Sequence, residues 1–213
     1  MRTSVLRRSA GLVPAIALFT VAAQAGPPLV CHSFDIGGAK SLPWSGSSEW
    51  RGVDRGYDLG RLTADTLALL RPDTPVLVRM ETLRRATIYA VWPHAETLGM
   101  PVRDGRIAED LLAKVMARAK ESPAALFDAG YLLATYQQAG YQSSSVSVDA
   151  TAAYTMVSKA IEGTHDPQME FAAALMTLGA PRSGHDEHLR NARAGAPADA
   201  LLARNLDSRF QAR

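Results

Sequence analysis

From residue 57 onward, apolar residues recur at spacings of three and four, and no stretch alternates apolar and polar residues with a period of two. The first pattern places apolar side chains on one face of an α-helix, whereas the second is typical of a half-buried strand. Ser122-Pro123, Asp149 and Asp166-Pro167 suit helix N-termini, and Gly140 and Gly163 suit helix C-termini. The sequence therefore predicts an all-α fold, either a short solenoid of helix pairs or a helical bundle.

The spacing of the apolar residues predicts seven helices in this part of the chain. The second of them, VLVRMETLRRATIYAV, is expected to follow a cap at Asp73 or Thr74 and to have Pro75 in its first turn. The predicted helices cover residues 59–70, 76–91, 107–120, 124–139, 150–162 and 169–178, and a last amphipathic segment follows Pro197.

The first 25 residues, MRTSVLRRSAGLVPAIALFTVAAQA, have the organisation of a secretory signal peptide. Three arginines flank the start of an apolar run over residues 12–22, and Ala23-Gln24-Ala25 has the small-x-small form of a cleavage site. The run is much shorter than the roughly 20 residues that a membrane-spanning helix needs. The sequence predicts export to the periplasm or the medium, with cleavage after Ala25 and no membrane insertion afterwards.

Removal of the signal peptide changes the charge of the chain. The signal peptide carries three of the 23 basic residues and none of the 21 acidic ones. The remaining 188 of the 213 residues therefore hold 20 basic and 21 acidic residues, a net charge of −1. This balance predicts no nucleic-acid partner. Cys31 is the single cysteine, so the exported chain has no internal disulfide and its core must depend on apolar packing.

Residues 26–56 differ from the helical part because they are rich in Gly, Ser and Pro and show no helical period. Phe34, Ile36, Leu42 and Trp44 provide apolar anchors on either side of a turn at Gly37-Gly38. We expect an irregular strap that covers one end of the helical array, since terminal helix pairs need their outer apolar face covered. The predicted organisation is a signal peptide (1–25), a strap (26–56) and a helical domain (57–213).

Cys31 and His32 lie side by side in this strap. Adjacent side chains of an extended segment point to opposite faces, so His32 is badly placed to activate the Cys31 thiol. The sequence favours a small structural thiol under the strap over a catalytic nucleophile. Covalent haem attachment needs Cys-x-x-Cys-His, which this pair lacks, and no cofactor is predicted.

His185 and His188 stand three residues apart in GHDEHLR, a spacing that places two imidazoles on one side of a helix. They could contact one metal ion, but two ligands are too few for a site. The alternative is a solvated first helical turn whose Asp186 and Glu187 favour the positive helix end. The sequence predicts no metal site here.

Glu81, Arg84 and Arg85 are charges inside an otherwise apolar predicted helix. Their spacing of three and four residues predicts an internal ion pair that joins this helix to its neighbours or to the strap. The alternative is an arginine pair that binds a ligand. A buried charge group needs partners of opposite sign, and Asp35 in the strap is one candidate acid.

Three consecutive segments, AALFDAGYLLATYQQAG, VDATAAYTMVSKAIEG and DPQMEFAAALMTLG, resemble the Sel-type branch of the tetratricopeptide repeats over residues 123–179. The resemblance implies helix pairs that stack on their neighbours, with small residues where the helices approach closely. DIGGAKSLPW is in addition similar to a segment of small exported bacterial proteins. The residues that match the repeat are Ala125, Gly130, Asp149, Lys159-Ala160, Gly163 and Asp166.

The sequence contains no Gly-x-Ser-x-Gly, no phosphate-binding glycine-rich loop and no His-Glu-x-x-His. It therefore predicts a non-enzymatic envelope protein that binds other polypeptides on a concave surface lined by Tyr131, Tyr136 and Tyr154. One alternative is a thiol-dependent hydrolase centred on the single cysteine. The other is a scaffold that forms homo-oligomers through its C-terminal helix, around Leu202 and Phe210.

Overall fold

The computed structural model describes residues 26–46, 49–92, 105–178 and 184–210. The predicted signal peptide and most of the connector expected at residues 99–105 lie outside these ranges. The described residues form eight α-helices and no β-strand, which confirms the all-α prediction. The helices are α1 Leu62–Leu69, α2 Val76–Val91, α3 Arg106–Arg118, α4 Pro123–Gln138, α5 Ala150–Glu162, α6 Pro167–Met176, α7 His185–Gly195 and α8 Ala200–Phe210.

Side-chain caps begin three of these helices where the sequence predicts them. Ser122 Oγ accepts a hydrogen bond from Ala125 N (3.1 Å) at the start of α4. Asp149 accepts from Ala152 N (2.8 Å) at the start of α5, and Asp166 accepts from Gln168 N (2.8 Å) at the start of α6. Gly140 follows α4 with a φ of 77°, a left-handed conformation that only glycine adopts without strain. These boundaries are local properties of the sequence.

The start of α2 differs from the prediction. Its N-cap residue is Pro75, and neither Asp73 nor Thr74 caps it. Thr74 Oγ1 instead donates to Leu69 O (2.8 Å), so this hydroxyl closes the end of α1. α1 begins at Leu62 and not at Leu59, because Asp58 caps a separate 3-10 turn over Leu59–Arg61.

Helix α2 is the central element, since every one of its residues except Arg85 is buried. The prediction that apolar residues on one face alone are buried is therefore wrong for this helix. It packs against α1, α3, α4 and α6, and the strap covers the side that these helices leave open. A helix enclosed on all sides must also bury its charged residues, and Arg79, Glu81 and Arg84 are all buried.

The second half of the chain is organised as two helix pairs, α4 with α5 and α6 with α7. Gly130 lies where the first pair is closest: a Cβ at this position would come within 2.8 Å of both Ala153 O and Met156 Cβ. This contact agrees with the expectation that small residues permit close helix approach. α7 is not among the seven helices predicted from the apolar spacing, although GHDEHLR was interpreted as the first turn of a helix.

The C-terminal helix α8 closes the fold by holding the strap. Asn205 accepts from Asp35 N (3.0 Å) and donates to Asp35 O (2.9 Å), as a neighbouring strand would. Arg209 donates to the carbonyl oxygens of His32 (2.7 Å) and Ser33 (3.0 Å). Leu202 is fully buried, and the Phe210 ring packs edge-on against Phe171 at 6.0 Å. The apolar residues of α8 are thus used within the chain.

A buried pair of opposite charges, Arg79 and Asp128, joins α2 to α4. Arg79 Nη1 lies 2.6 Å from Asp128 Oδ2, and the guanidinium also donates to the carbonyl oxygens of Thr74 and Arg71. Asp128 Oδ1 has no hydrogen-bond partner among the described residues. Burial raises the pKa of Asp128 to about 7, although the Arg79 guanidinium opposes this shift.

This raised pKa predicts that stability decreases as pH rises from about 4, the unfolded pKa of aspartate, to about 7. In that range the folded chain keeps a proton that the unfolded chain has lost. The free energy of unfolding, measured in urea between pH 5 and 8, should fall more steeply with pH for the native protein than for Asp128→Asn. Both proteins share every other titrating group, so equal slopes would show that Asp128 ionises normally.

Candidate functional site

The predicted site residues lie in two regions of the structure. One is the buried contact between the strap and α2, which contains Glu81, Arg84 and Arg85. The other is the junction of α5, α6 and α7, where Tyr154 lies. The two regions differ in exposure, because the first is closed under the strap and the second is partly open to solvent.

In the first region, the Glu81 carboxylate accepts four hydrogen bonds. Arg84 contributes two of them, from Nε to Oε2 (2.7 Å) and from Nη2 to Oε1 (2.9 Å). Arg85 Nε donates to Oε1 (2.7 Å), and the backbone N–H of Phe34 in the strap donates to Oε2 (3.0 Å). Each carboxylate oxygen is therefore held by an arginine and one further donor, which is the arrangement that a buried anion needs.

The two arginines also bind the backbone of the strap. Arg84 Nη1 donates to Val30 O (3.0 Å), and Arg85 Nη1 donates to Leu42 O (2.6 Å). Burial by itself would raise the pKa of Glu81, but the Arg84 and Arg85 charges hold that pKa below its usual range. The predicted internal ion pair is present within α2, and its members join that helix to the backbone of the strap. The Arg84 side chain is fully buried, so it is not open to a ligand.

Trp44 of the strap completes this contact. Its ring packs edge-on against Tyr89 at 6.0 Å, and the Cζ atoms of Arg84 and Arg85 lie 4.9 Å and 5.5 Å from its ring centre. Gly52 leaves the space for the indole, because a Cβ there would lie 2.0 Å from Trp44 Nε1. These contacts give Trp44 the anchoring position expected of it.

Asp35 is not the acid partner of this cluster, which corrects the prediction. Its carboxylate pairs with Arg204 Nε of α8 (2.6 Å), and about half of each side chain is exposed. The Arg204 hydrogen bond lowers the pKa of Asp35. Asp35 therefore contributes to the contact between the strap and α8, while Glu81 pairs with Arg84 and Arg85 of its own helix.

Cys31 is half-buried in the strap, beside Gly26. Burial raises the pKa of its thiol, although the nearby Arg84 and Arg209 charges oppose this shift. An activated cysteine needs the opposite, a pKa lowered toward neutrality. The geometry is that of a packed thiol, as the sequence favours.

The tyrosines predicted to line a docking surface are separated by the fold. Tyr131 and Tyr136 are fully buried in α4, so their assignment to a surface is wrong. The Tyr136 hydroxyl donates to Ala108 O of α3 (3.1 Å), and the Tyr131 ring stacks on Phe127 at 5.5 Å. α4 is covered by helices on several sides, and its aromatic residues therefore fill the core. Tyr154 is the one that remains partly exposed.

Tyr154 belongs to a chain of hydrogen bonds that crosses three helices. Its hydroxyl lies 2.7 Å from His188 Nε2 of α7, and His188 Nδ1 lies 2.5 Å from Glu170 Oε2 of α6. Asn191, one turn after His188, donates to Glu170 Oε1 (2.9 Å). Glu170 is buried, His188 is mostly covered and the tyrosine ring reaches the surface. The chain thus leads from a buried carboxylate to a partly exposed tyrosine.

The two histidines considered as metal ligands face inward and bind different partners. His185 Nδ1 lies within 3.1 Å of Thr177 Oγ1 and 3.0 Å of Ala174 O, both on the C-terminal end of α6. The interpretation of a solvated first turn holds for Asp186 and Glu187, which are exposed, but not for the imidazoles. No group of three or more His, Cys, Asp or Glu residues in the described ranges is placed to hold a metal ion.

Glu170 is not among the candidate site residues that the sequence predicts. A signal was present, since Glu170 is the only charged residue in MEFAAALM, just as Glu81 and its arginines interrupt the apolar run of α2. An isolated acid in an apolar helix requires a partner. The partner, however, lies 18 residues away on another helix, and local spacing could not identify it.

Comparison with known proteins supplies no relative: no protein-family model, curated protein or solved structure matches this chain. The resemblance to Sel-type repeats therefore stays a prediction. Among the described helices, none combines the length and apolar character required to cross a membrane. The described part of the chain is an all-α structure whose partly exposed polar cluster contains Tyr154, His188, Glu170 and Asn191.

Proposed function

We propose that this chain is an exported helical protein that binds other polypeptides, with Tyr154 as an anchor of the binding surface. The observation that supports this proposal is the fixed position of the Tyr154 ring, which is partly exposed on α5 while its hydroxyl is held by His188. An aromatic side chain that is already ordered loses little conformational entropy on binding, and it provides a large contact area.

The charges near Tyr154 favour a polypeptide partner with basic residues. α7 begins beside the tyrosine hydroxyl, because a Cβ at Gly184 would lie 3.5 Å from that oxygen. The first turn of α7 carries Asp186 and Glu187, both exposed. A Lys or Arg side chain of the partner can approach these carboxylates while an apolar residue packs on the ring.

A photo-crosslinking amino acid at Thr151 tests this proposal. Thr151 is exposed and stands one turn before Tyr154, so it lies on the same side of α5. We expect Thr151 to crosslink to a defined envelope polypeptide, and Tyr154→Ala to reduce the yield at least about tenfold, the loss expected when a central aromatic anchor is removed.

The same amino acid at Lys114 serves as the control, since Lys114 is exposed on α3 and does not belong to the proposed surface. Crosslinks of equal yield from both positions, or a yield from Thr151 that Tyr154→Ala leaves unchanged, would count against a binding surface at Tyr154.

A further inference from the structure

The directions of the hydrogen bonds around His188 follow from the chemistry of the three groups. The Glu170 carboxylate can only accept, so His188 Nδ1 carries the proton of that 2.5 Å bond. When the imidazole is neutral, its other nitrogen is an acceptor, and in that form His188 Nε2 accepts the proton of the Tyr154 hydroxyl at 2.7 Å. Asn191 holds the second Glu170 oxygen and fixes the carboxylate. The hydroxyl therefore faces a base whose tautomer is set by an acid behind it.

This order of groups matches the general requirement for an activated nucleophile: a hydroxyl, a base within hydrogen-bond distance, and a third group that orients the base. Three separate helices supply the three groups, so the order is a product of the tertiary fold. Glu170 is buried, whereas Tyr154 is partly exposed, so a ligand can contact the tyrosine but not the acid that orients its base.

A source of stabilisation for a developing negative charge lies next to the hydroxyl. α7 has eleven residues, and its N-cap residue Gly184 has no side chain that could accept from the N–H groups of the first turn. A Cβ on Gly184 would be 3.5 Å from the Tyr154 hydroxyl oxygen and 3.8 Å from His188 Nε2. The positive end of the helix is thus beside the Tyr154 hydroxyl, where it can stabilise negative charge that develops on a reacting group.

The surrounding charges select the class of substrate. Glu170 lies behind the imidazole, and Asp186 and Glu187 are exposed on the first turn of α7. These three carboxylates repel phosphate and carboxylate groups, so a substrate with an uncharged reacting centre is favoured. A carboxylic ester has such a centre, and only its transition state carries the negative charge that the helix end can stabilise.

We propose that Tyr154 is a nucleophile that takes the acyl group of a carboxylic ester, with His188 as its base and Glu170 as a positioning residue. The Tyr154 oxygen bonds to the carbonyl carbon while its proton passes to His188 Nε2. The ester C–O bond breaks, and the leaving oxygen takes that proton and departs as an alcohol. Water then attacks the acyl-tyrosine, His188 takes its proton, and Tyr154 regains a proton as the acid leaves.

Tyr57 provides a matched comparison within the same chain. It is also partly exposed, but its hydroxyl donates to the Asp65 carboxylate at 2.9 Å and not to an imidazole. Burial, together with the Asp65 hydrogen bond, raises the pKa of Tyr57 well above that of a free tyrosine. Tyr57 should therefore stay unreactive where Tyr154 reacts.

The test treats the purified protein with p-nitrophenyl acetate, follows the release of p-nitrophenolate, and locates the acetyl group by mass spectrometry of peptides. We expect a burst of about one equivalent and an acetyl group on Tyr154. Tyr154→Phe should abolish the burst, and His188→Gln should slow it about a hundredfold or more, as the loss of a general base does. Tyr57→Phe should leave its rate unchanged.

Three results would overturn the proposal. They are acetylation spread over lysines with none on Tyr154, equal acetylation of Tyr154 and Tyr57, and a rate that His188→Gln does not change although circular dichroism shows the native fold. The peptide comparison of Tyr154 with Tyr57 uses the unmodified protein, so it decides the matter even if a variant fails to fold. The reaction contains no other polypeptide, and its outcome is therefore independent of the proposed binding function.

Discussion

Glu81→Gln is expected to lower the free energy of unfolding by about 3–5 kcal/mol, the cost of removing one partner from a buried ion pair. The substitution keeps the shape of the side chain but leaves Arg84, which is fully buried, without its neutralising charge. It also places an amide N–H₂ group opposite two donors, either Arg84 with Arg85 or Arg84 with the Phe34 backbone. Urea unfolding at neutral pH, followed by circular dichroism, measures the loss.

Asp35→Asn is the matched control for this prediction. Asp35 also pairs with an arginine of the helical part, but about half of its side chain and of the Arg204 side chain is exposed. Exposed pairs contribute no more than about 1 kcal/mol, since water already screens them. If Glu81→Gln were no more damaging than Asp35→Asn, the buried cluster would not be what holds the strap on α2.

Gly130→Leu is expected to destabilise the fold by about 3 kcal/mol, at the upper end of the usual cost of overpacking a core. A side chain at this position has no space, because its Cβ alone would come within 2.8 Å of Ala153 O and Met156 Cβ. One of these atoms belongs to the backbone of α5, which cannot turn aside, so the two helices must separate. The change in the urea midpoint measures the effect.

Ala117→Leu controls for the size of the added side chain. Ala117 is exposed on α3, where the same leucine meets solvent, and surface substitutions of this kind usually change stability by less than about 0.5 kcal/mol. Equal effects at positions 117 and 130 would contradict the close contact between α4 and α5. A loss confined to Gly130 would show that a small residue is required at this contact.

The buried charges show that sequence spacing predicts ion pairs within one helix but not ion pairs between helices. The ion pair of Glu81 with Arg84 and Arg85 was predictable, because its members lie three and four residues apart on one helix and meet wherever that helix goes. Arg79 and Asp128 also form a buried pair, but they are 49 residues apart on different helices. No local pattern indicates such a pair, and the assignment of Asp35 to Glu81's cluster failed for the same reason.

The tyrosines illustrate the same limit for the candidate site. Tyr131, Tyr136 and Tyr154 are equivalent as residues in amphipathic helices, but α4 is enclosed by α2, α3 and α5, whereas α5 keeps an open side. The exposure of each tyrosine depends on how many helices surround its own helix, and the spacing of residues in the sequence does not indicate that number. The His188 cluster was missed because Glu170, His188 and Tyr154 come from three helices and meet only after these have packed.

The sequence alone determined that the described chain is helical after residue 57. It also determined the positions at which α4, α5 and α6 begin, and the contact of Glu81 with its two arginines. These features depend on hydrogen bonds and contacts within a few residues, so neighbouring residues suffice to specify them. The tertiary structure alone decided that α2 is enclosed, that the strap is held by α8, and that Tyr154 faces His188. Each of these results joins residues far apart in the chain, and their contact depends on the packing of the whole core.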